Sequence, residues 1–198
     1  MADEASTFSR FMTHPRPIGS VRSILQIQWS KVKCSSDISH QEGLIPKEFG
    51  NDAVELPGAR KLLASLEAVN APWAVVTSAT RALLDGWNEV LKLVPPRCVV
   101  VAEDVENGTP HPSCYLLGRQ RLSLPEKAQM IVIEDAPSGV RAGKAAGFEV
   151  VGLATTHTID QMKGAGADWI VQDLQSVTLK NFREGVVQIE IANALVNA

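Results

Sequence analysis

Short apolar runs alternate with amphipathic stretches along the chain from about residue 51. Runs such as WAVVT and MIVIE contain almost no polar residue, as expected of strands buried on both faces of a sheet. The stretches between them repeat apolar residues every three or four positions, the period of a helix packed on one side. Strands are predicted at 73–77, 97–102, 130–134, 149–153 and 169–171. Helices are predicted from 56–58 onward and at 80–92, 112–122, 137–146 and 158–164.

This alternation predicts β–α–β units with right-handed crossovers and an α/β fold built on a mostly parallel sheet. The regular part, 51–180, is the predicted core, and 1–50 is a divergent N-terminal segment. Within that segment SILQIQWS, at 23–30, alternates apolar and polar residues and predicts a half-buried strand. Residues 31–43 are polar without a period, so no element is predicted there. The tail, 181–198, is apolar from Gly185 and fits a strand, a helix or a partner contact.

The composition is that of an ordinary globular protein, with 198 residues, 45% hydrophobic and 21% charged. A net charge of −3 gives no support for nucleic-acid binding through a basic face. No apolar run approaches the roughly 20 residues that span a membrane, and MADEASTFSR does not resemble a secretory signal. The cytoplasm is the expected compartment. Three widely spaced cysteines, Cys34, Cys98 and Cys114, predict neither a disulfide framework nor a zinc site.

Two adjacent acids, Glu134 and Asp135, end the predicted strand at 130–134. In open α/β sheets ligands bind just beyond the carboxyl ends of the strands, and Mg²⁺ prefers oxygen ligands. Unpaired carboxylates are costly to bury, so this pair predicts a metal or substrate contact. The alternatives are an acid pair at a helix N-terminus and a structural hydrogen bond to a neighbouring loop.

Two further loops carry candidate chemistry. Thr77, Ser78 and Thr80 follow the strand at 73–77, where hydroxyls and backbone N–H groups that open a helix can cradle a phosphate. The alternative is that Thr77 and Thr80 only cap that helix. The loop DVENGTPHP contains His111, which is either a general base or a solvated loop histidine.

Four segments in this order, VVTSATR, NGTPHPSCYLLG, VIEDAPSGVRAGKAAG and VGLATTH, resemble the haloacid dehalogenase-type phosphatases. Within that family the similarity is greatest to the fungal glycerol-3-phosphate and 2-deoxyglucose-6-phosphate phosphatases, over about 44–179. The resemblance implies a Rossmann-like three-layer sandwich and Mg²⁺-dependent hydrolysis of a small sugar or polyol phosphate. Thr77 and Ser78 would hold the phosphate, and Glu134 and Asp135 would serve the Mg²⁺ site.

The chain departs from that family in its charged catalytic groups. The family's nucleophile lies in an Asp-x-Asp-Gly-Thr/Ser motif after an N-terminal strand, but Asp3, Asp37 and Asp52 each lack an aspartate two positions on. Thr109 stands where the family has a lysine before proline. No catalytic nucleophile is therefore assigned. The central first strand and most of the cap are predicted to be missing or replaced, as in a truncated or alternatively spliced product or a gene model that lost an exon.

Three functions of different classes follow. The first is a phosphatase by descent, acting on a small phosphorylated metabolite, with little or no turnover. The second is a non-catalytic module that binds phosphate or a phosphorylated ligand. The third is an interaction protein whose apolar tail pairs with another subunit. Neither nucleic acid nor a membrane is an expected partner, and the oligomeric state is left open.

Overall fold

A computed structural model describes residues 35–197 of the chain. The helices in this part are α1 (Ser35–Phe49), α2 (Ala59–Ala68), α3 (Arg81–Leu91), α4 (Ser113–Arg121), α5 (Pro137–Ala145) and α6 (Ile159–Ala165). The strands are β1 (Val75–Val76), β2 (Val99–Val100), β3 (Ile131–Glu134), β4 (Glu149–Leu153), β5 (Trp169–Val171), β6 (Val177–Arg183), β7 (Val186–Ile191) and β8 (Val196–Asn197). Every strand and helix predicted from residue 51 to the tail is present, so the α/β prediction is confirmed.

The strands form three separate hydrogen-bonded groups. β1 pairs with β2 in parallel, and β3, β4 and β5 form a parallel group to which β8 adds an antiparallel edge. β6 and β7 form an antiparallel hairpin. Among residues 35–197, β1 pairs only with β2 and β3 pairs only with β4. Within residues 35–197 the parallel sheet is thus divided between β1 and β3. That the central first strand is missing or replaced stays a prediction, because it concerns a part of the chain outside the described residues.

Apolar side chains pack on both faces of the sheet. Val150 and Val151 are adjacent in β4 and both fully buried, and they belong to different core clusters because successive strand residues point to opposite faces. The face of Val150 is covered by α4, α5 and α6, whereas the face of Val151 is covered by α2 and by the β6–β7 hairpin. Helices, sheet and a second covering layer therefore make the predicted three-layer sandwich.

Helix α1 was not predicted, because its sequence is polar and carries Gly43 and Pro46 within it. It is held by packing along α3. Ideal Cβ positions at Gly43 and Gly86 lie 3.3 Å from Ala82 Cβ and 2.8 Å from Pro46 Cγ, so small residues let the two helices approach closely. Gly43 contacts Ala82, and Pro46, one turn later in α1, contacts Gly86, one turn later in α3. The two helices therefore run in the same direction.

In the described residues the tail forms strands, which decides between the strand and the helix that its sequence allowed. The partner contact stays a prediction. The predicted boundary between 180 and 181 falls inside β6. Ile189 and Ile191 of β7 pack against the core cluster on the Val151 face, so the hairpin is part of the core. The strand predicted at 23–30 lies outside the described residues. No helix within 35–197 is both long and apolar enough to cross a membrane.

Candidate active site

Helix α4 shows that the carboxyl ends of β1 and β3 lie at the same edge of the molecule. An ideal Cβ at Gly118 of α4 would lie 3.2 Å from Val76 of β1, so the middle of the helix crosses that strand. One turn earlier, the Tyr115 hydroxyl donates to Glu134 Oε1 at the end of β3. Toward the other end of the helix, Arg121 donates to the Val99 carbonyl at the start of β2. The N-terminus of α4 thus marks the edge where β1, β2 and β3 end.

Glu134 is 1% exposed, and its carboxylate accepts hydrogen bonds from several donors. Oε1 accepts from Tyr115, and Oε2 accepts from the backbone N–H groups of Asp135 and Ala136 at 3.1 and 3.2 Å. An ideal Cβ at Gly139, in the first turn of α5, would lie 2.1 Å from Glu134 Cδ. The glycine of the EDAPSG segment therefore leaves the space in which this carboxylate lies.

Asp135 is also 1% exposed and is contacted by the loop after β4. The Thr156 hydroxyl lies 3.2 Å from Asp135 Oδ2 and 3.1 Å from the Asp135 carbonyl oxygen. His157 Nδ1 lies 2.9 Å from the same carbonyl oxygen. The two acids therefore have different surroundings, with Glu134 fixed by α4 and the start of α5 and Asp135 fixed by the β4 loop.

At the end of β1, the hydroxyl groups have separate roles. Thr80 is the N-cap of α3, with its side chain accepting from Leu83 N, so its predicted capping alternative is confirmed. Thr77 Oγ1 accepts instead from Ala79 N at 3.1 Å, and its own N–H donates to Val100. Ser78 Oγ is buried and makes no hydrogen bond within 35–197. It is the hydroxyl of the three that is left available to a ligand.

Two carboxylates lie at the N-terminus of α3. Glu42 of α1 is 9% exposed and accepts from Thr80 N at 2.9 Å. Glu103, in the turn after β2, accepts from Arg81 N at 3.0 and 3.1 Å. Carboxylates are favourable here because the N–H groups of the first helical turn have no partner within the helix. This helix terminus thus already binds negative charge from the chain itself.

The remaining sequence candidates are a loop histidine, an acid on α1 and two cysteines. His111 is exposed, and its Nδ1 accepts from Ser113 N at 3.3 Å. Asp37 is exposed in the first turn of α1. Cys98 and Cys114 are buried, and burial raises the pKa of the Cys98 thiol. Within the described part of the chain, no group of three or more histidine, cysteine or acidic side chains could hold a metal ion.

Besides Glu103, four residues in this region were not singled out from the sequence. Tyr115, Thr156 and His157 lie inside the family-like segments NGTPHPSCYLLG and VGLATTH, but their contacts with the acids depend on how α4 and the β4 loop pack. Glu42 carries no local signal, since its partner Thr80 is 38 residues away. The motifs could have drawn attention to the first three residues, and only the tertiary structure identifies the fourth.

A profile of haloacid dehalogenase-like hydrolases matches residues 21–153 of the chain. The match covers the two acids, the hydroxyls after β1 and the helices that fix them. The chain belongs to the haloacid dehalogenase-like hydrolase family. The resemblance inferred from the motifs is therefore confirmed.

Curated relatives of the chain include phosphatases that are named for sugar and polyol phosphates. Over 161 residues the chain is 39% identical to glycerol-1-phosphate phosphohydrolase 1 of Saccharomyces cerevisiae, covering 78% of this chain and 64% of that protein. It is 37% identical to 2-deoxyglucose-6-phosphate phosphatase 1 of the same yeast, covering 74% of this chain and 67% of that protein. The matched part thus spans just under two thirds of the length of the glycerol-1-phosphate enzyme.

Solved structures of the family share the fold. A hydrolase from Pseudomonas syringae superposes with a TM-score of 0.64 at 23% identity, covering 77% of this chain and 72% of that one. A putative β-phosphoglucomutase from Thermotoga maritima gives a TM-score of 0.56 at 25% identity, covering 75% and 78%. The Rossmann-like α/β architecture of the family is therefore present in this chain.

Proposed function

We propose that the site binds the phosphate group of a small sugar or polyol phosphate together with Mg²⁺, and that this chain hydrolyses the ester slowly or not at all. The observation that carries the proposal is the buried Ser78 hydroxyl, which makes no hydrogen bond to the described residues. It lies at the same sheet edge as the buried acids Glu134 and Asp135. The cytoplasm, where such metabolites occur, is the compartment we expect.

The acids present fit a Mg²⁺ site of modest ligand number. Mg²⁺ commonly keeps several waters and is held by one or two carboxylates plus substrate phosphate oxygens. We assign Asp135 and Glu134 to it, with Thr77 and Ser78 assigned to the phosphate. Both Glu134 oxygens already accept hydrogen bonds, so we expect Asp135 to contribute more to Mg²⁺ affinity. Bound Mg²⁺ would offset negative charge on the phosphate.

We expect slow turnover because we can assign no residue that would attack the phosphorus or protonate the leaving oxygen. The chain has no Asp-x-Asp sequence in its first half, and Asp37 is exposed on α1. At the loop after β2, Thr109 supplies no positive charge. Glu42 and Glu103 add negative charge near the proposed phosphate position. Loss of a covalent nucleophile commonly lowers turnover by several orders of magnitude.

The test separates binding from turnover in the full chain. Calorimetry with Mg²⁺ and either glycerol phosphate or 2-deoxyglucose 6-phosphate should detect binding. A phosphate-release assay on the same compounds should give turnover at least about a thousand-fold below the roughly 10 per second typical of enzymes. Heat of binding absent at millimolar ligand would overturn the binding proposal.

A pair of variants at the site provides the control. Asp135→Asn should weaken Mg²⁺-dependent ligand binding at least tenfold, whereas Asp160→Asn, an exposed acid at the start of α6, should leave it unchanged. Turnover of several per second that Asp135→Asn abolishes would show that the chain is an ordinary phosphatase. That result would contradict the proposed loss of activity while leaving the assigned site in place.

A further inference from the structure

Strand β7 has one edge that pairs with no other strand among residues 35–197. Along its other edge it pairs with β6, from Ile191 opposite Val177 to Val186 opposite Arg183. The chain then passes from β7 into β8, the last strand in the order of the four-stranded group. Backbone groups on the unpaired edge of a strand can accept a further strand. The edge of β7 is therefore a candidate interaction surface.

The backbone groups on this edge follow from the pairing at the two ends of the hairpin. Ala192 N donates to the carbonyl oxygen of Ser176, just before β6, at 2.8 Å. At the other end, Val186 lies opposite Arg183 across a two-residue turn. Because backbone groups alternate along a strand, the even-numbered residues of β7 point toward β6. The residues whose N–H and carbonyl groups point away from β6 are Val187, Ile189 and Ile191.

The sequence of β7 does not protect this edge. Proteins commonly keep edge strands from pairing by means of lysine, proline or a bulge. Strand β7, VVQIEI, contains neither lysine nor proline. The irregularity in the register of the hairpin lies in β6, between Leu179 and Asn181, where Lys180 is the extra residue. Valine and isoleucine also favour extended structure, so β7 is the strand of the hairpin that is better suited to pairing.

We propose that β7 pairs antiparallel with β7 of a second copy of this chain, about a two-fold axis at Ile189. In this register Ile189 lies opposite Ile189 of the second copy, and Val187 lies opposite Ile191. All the outward-pointing residues then exchange backbone hydrogen bonds, whereas a shift of two residues in either direction would leave some of them unpaired. The two hairpins form one four-stranded antiparallel sheet. The inference does not depend on phosphate binding or hydrolysis.

The side chains of β7 favour a second copy as the occupant. Ile189 and Ile191 pack against the core cluster on one face of the hairpin, whereas Gln188 and Glu190 are exposed on the other. A two-fold axis perpendicular to the hairpin places apolar residues opposite apolar residues and Gln188 opposite Glu190. This arrangement has no like charges directly opposite each other. Glu190 also accepts from Lys180 of its own chain at 3.1 Å, so the edge is complementary in charge to itself.

Sedimentation of the full chain and of charge variants tests the pairing. One paired edge buries little surface, so we expect a dimer with a Kd of about 10–100 μM. Gln188→Glu places two pairs of like charges opposite each other and should weaken the dimer at least about threefold, whereas Gln188→Lys should tighten it by a similar factor. Gln120→Glu, at an exposed position on α4, is the matched control and should change nothing. A chain that is monomeric at about 500 μM, or a dimer that is indifferent to the charge at residue 188, would overturn the proposal.

Disulfide trapping tests the register. On a Cys34→Ser background, chains with Gln188→Cys mixed with chains with Glu190→Cys should form linked dimers. Directly opposite residues that are not hydrogen-bonded to each other have Cα atoms about 4.5 Å apart, which suits a disulfide. Either chain alone places its two cysteines diagonally, about 7–8 Å apart, and should link at least about tenfold more slowly. Equal rates in the mixture and in the separate chains would contradict this register.

Amide hydrogen exchange distinguishes a second copy from a segment of the same chain. The amides of Val187 and Ile191 should become protected as the protein concentration rises through the Kd, because their partners belong to another molecule. The amide of Glu190, which points toward β6, should be protected at every concentration. Protection of Val187 and Ile191 that does not change with concentration would mean that the edge is paired within one chain. That result would overturn the proposal.

Discussion

The buried carboxylate of Glu134 depends on a residue that has no side chain. Gly139 lies in the first turn of α5, where an added Cβ would meet Glu134 Cδ at 2.1 Å. The carboxylate cannot simply move away, because Tyr115 and two backbone N–H groups hold it. A substitution at this position therefore acts on the metal site that we propose as well as on the helix.

We predict that Gly139→Ala destabilises the protein although alanine favours helices. Glycine to alanine in a helix normally gains up to about 1 kcal/mol, but overpacking a buried site costs about 1–3 kcal/mol. Urea unfolding should therefore show a loss of about 1–2 kcal/mol. The control is Gly164→Ala in α6, where nothing lies within 4 Å of the added Cβ. A gain in stability at both positions would contradict this explanation.

At the scale of elements, α1 is attached to the core through Glu42 and through its close approach to α3. Glu42 is nearly buried and is the acceptor for the Thr80 N–H. It therefore satisfies one backbone donor at the start of α3 and places a negative charge at the favourable end of that helix.

Glu42→Ala should lower the free energy of unfolding by about 1–2 kcal/mol, because it leaves the Thr80 N–H without its acceptor. Glu48→Ala, an exposed acid on the same helix, should change it by less than about 0.5 kcal/mol. Chemical denaturation of the two variants measures the difference. Equal effects would mean that Glu42 contributes only helix propensity.

A second connection joins the turn after β2 to the C-terminus of α4. Arg121 bonds both oxygens of Asp104 at 2.7 Å. This hydrogen-bonded guanidinium lowers the pKa of Asp104 to about 2. Since the pKa of Asp is about 3.9 in unfolded chains, the folded state binds its proton less tightly. The resulting stability is fully present above about pH 4 and is lost as the pH falls toward 2.

Arg121→Met should therefore cost more stability at pH 6 than at pH 3. We expect the difference between the two pH values to be about 1 kcal/mol, because both side chains are partly exposed to solvent. Urea unfolding of the variant and the parent at each pH measures it. Arg119→Met, which removes a cation over the Phe148 ring, is the control. A cost for Arg121→Met that is the same at both pH values would contradict the role of Asp104.

For the molecule as a whole, the core extends into the tail. The cluster on the Val151 face includes Leu56 before α2 and Leu174 and Val177 near the hairpin. Gly58 makes this packing possible, since it has φ +90° and an added Cβ would lie 2.3 Å from the Leu174 backbone. The first and last parts of the regular chain therefore meet around one cluster.

Ile189→Ala should consequently cost about 1–2 kcal/mol, because it removes half-buried methyl groups that pack against this cluster. Val186→Ala, in the same strand but at a side chain that is 65% exposed, should cost less than about 0.5 kcal/mol. Thermal or urea unfolding distinguishes the two. A negligible cost at Ile189 would mean that the hairpin is not part of the folded core.

The sequence by itself determined the α/β core, because continuous apolar runs and helical periods are local signals that tertiary packing reinforced. It also determined the family, since the EDAPSG segment and the three other motif segments follow one another in the order typical of that family. The strands at β3, β4 and β5 lie within a residue of their predicted bounds. The assignments of Thr77, Ser78, Glu134 and Asp135 to ligands remain predictions.

Only the tertiary structure decided which groups meet around those residues. Helix α1 has a polar sequence with an internal proline, and it forms because Gly43, Pro46 and Gly86 allow close packing on α3. Glu42 reaches Thr80 and Tyr115 reaches Glu134 across separations of 38 and 19 residues. Such contacts have no local period or motif. Their physical cause is the packing of whole elements, which no single stretch of sequence records.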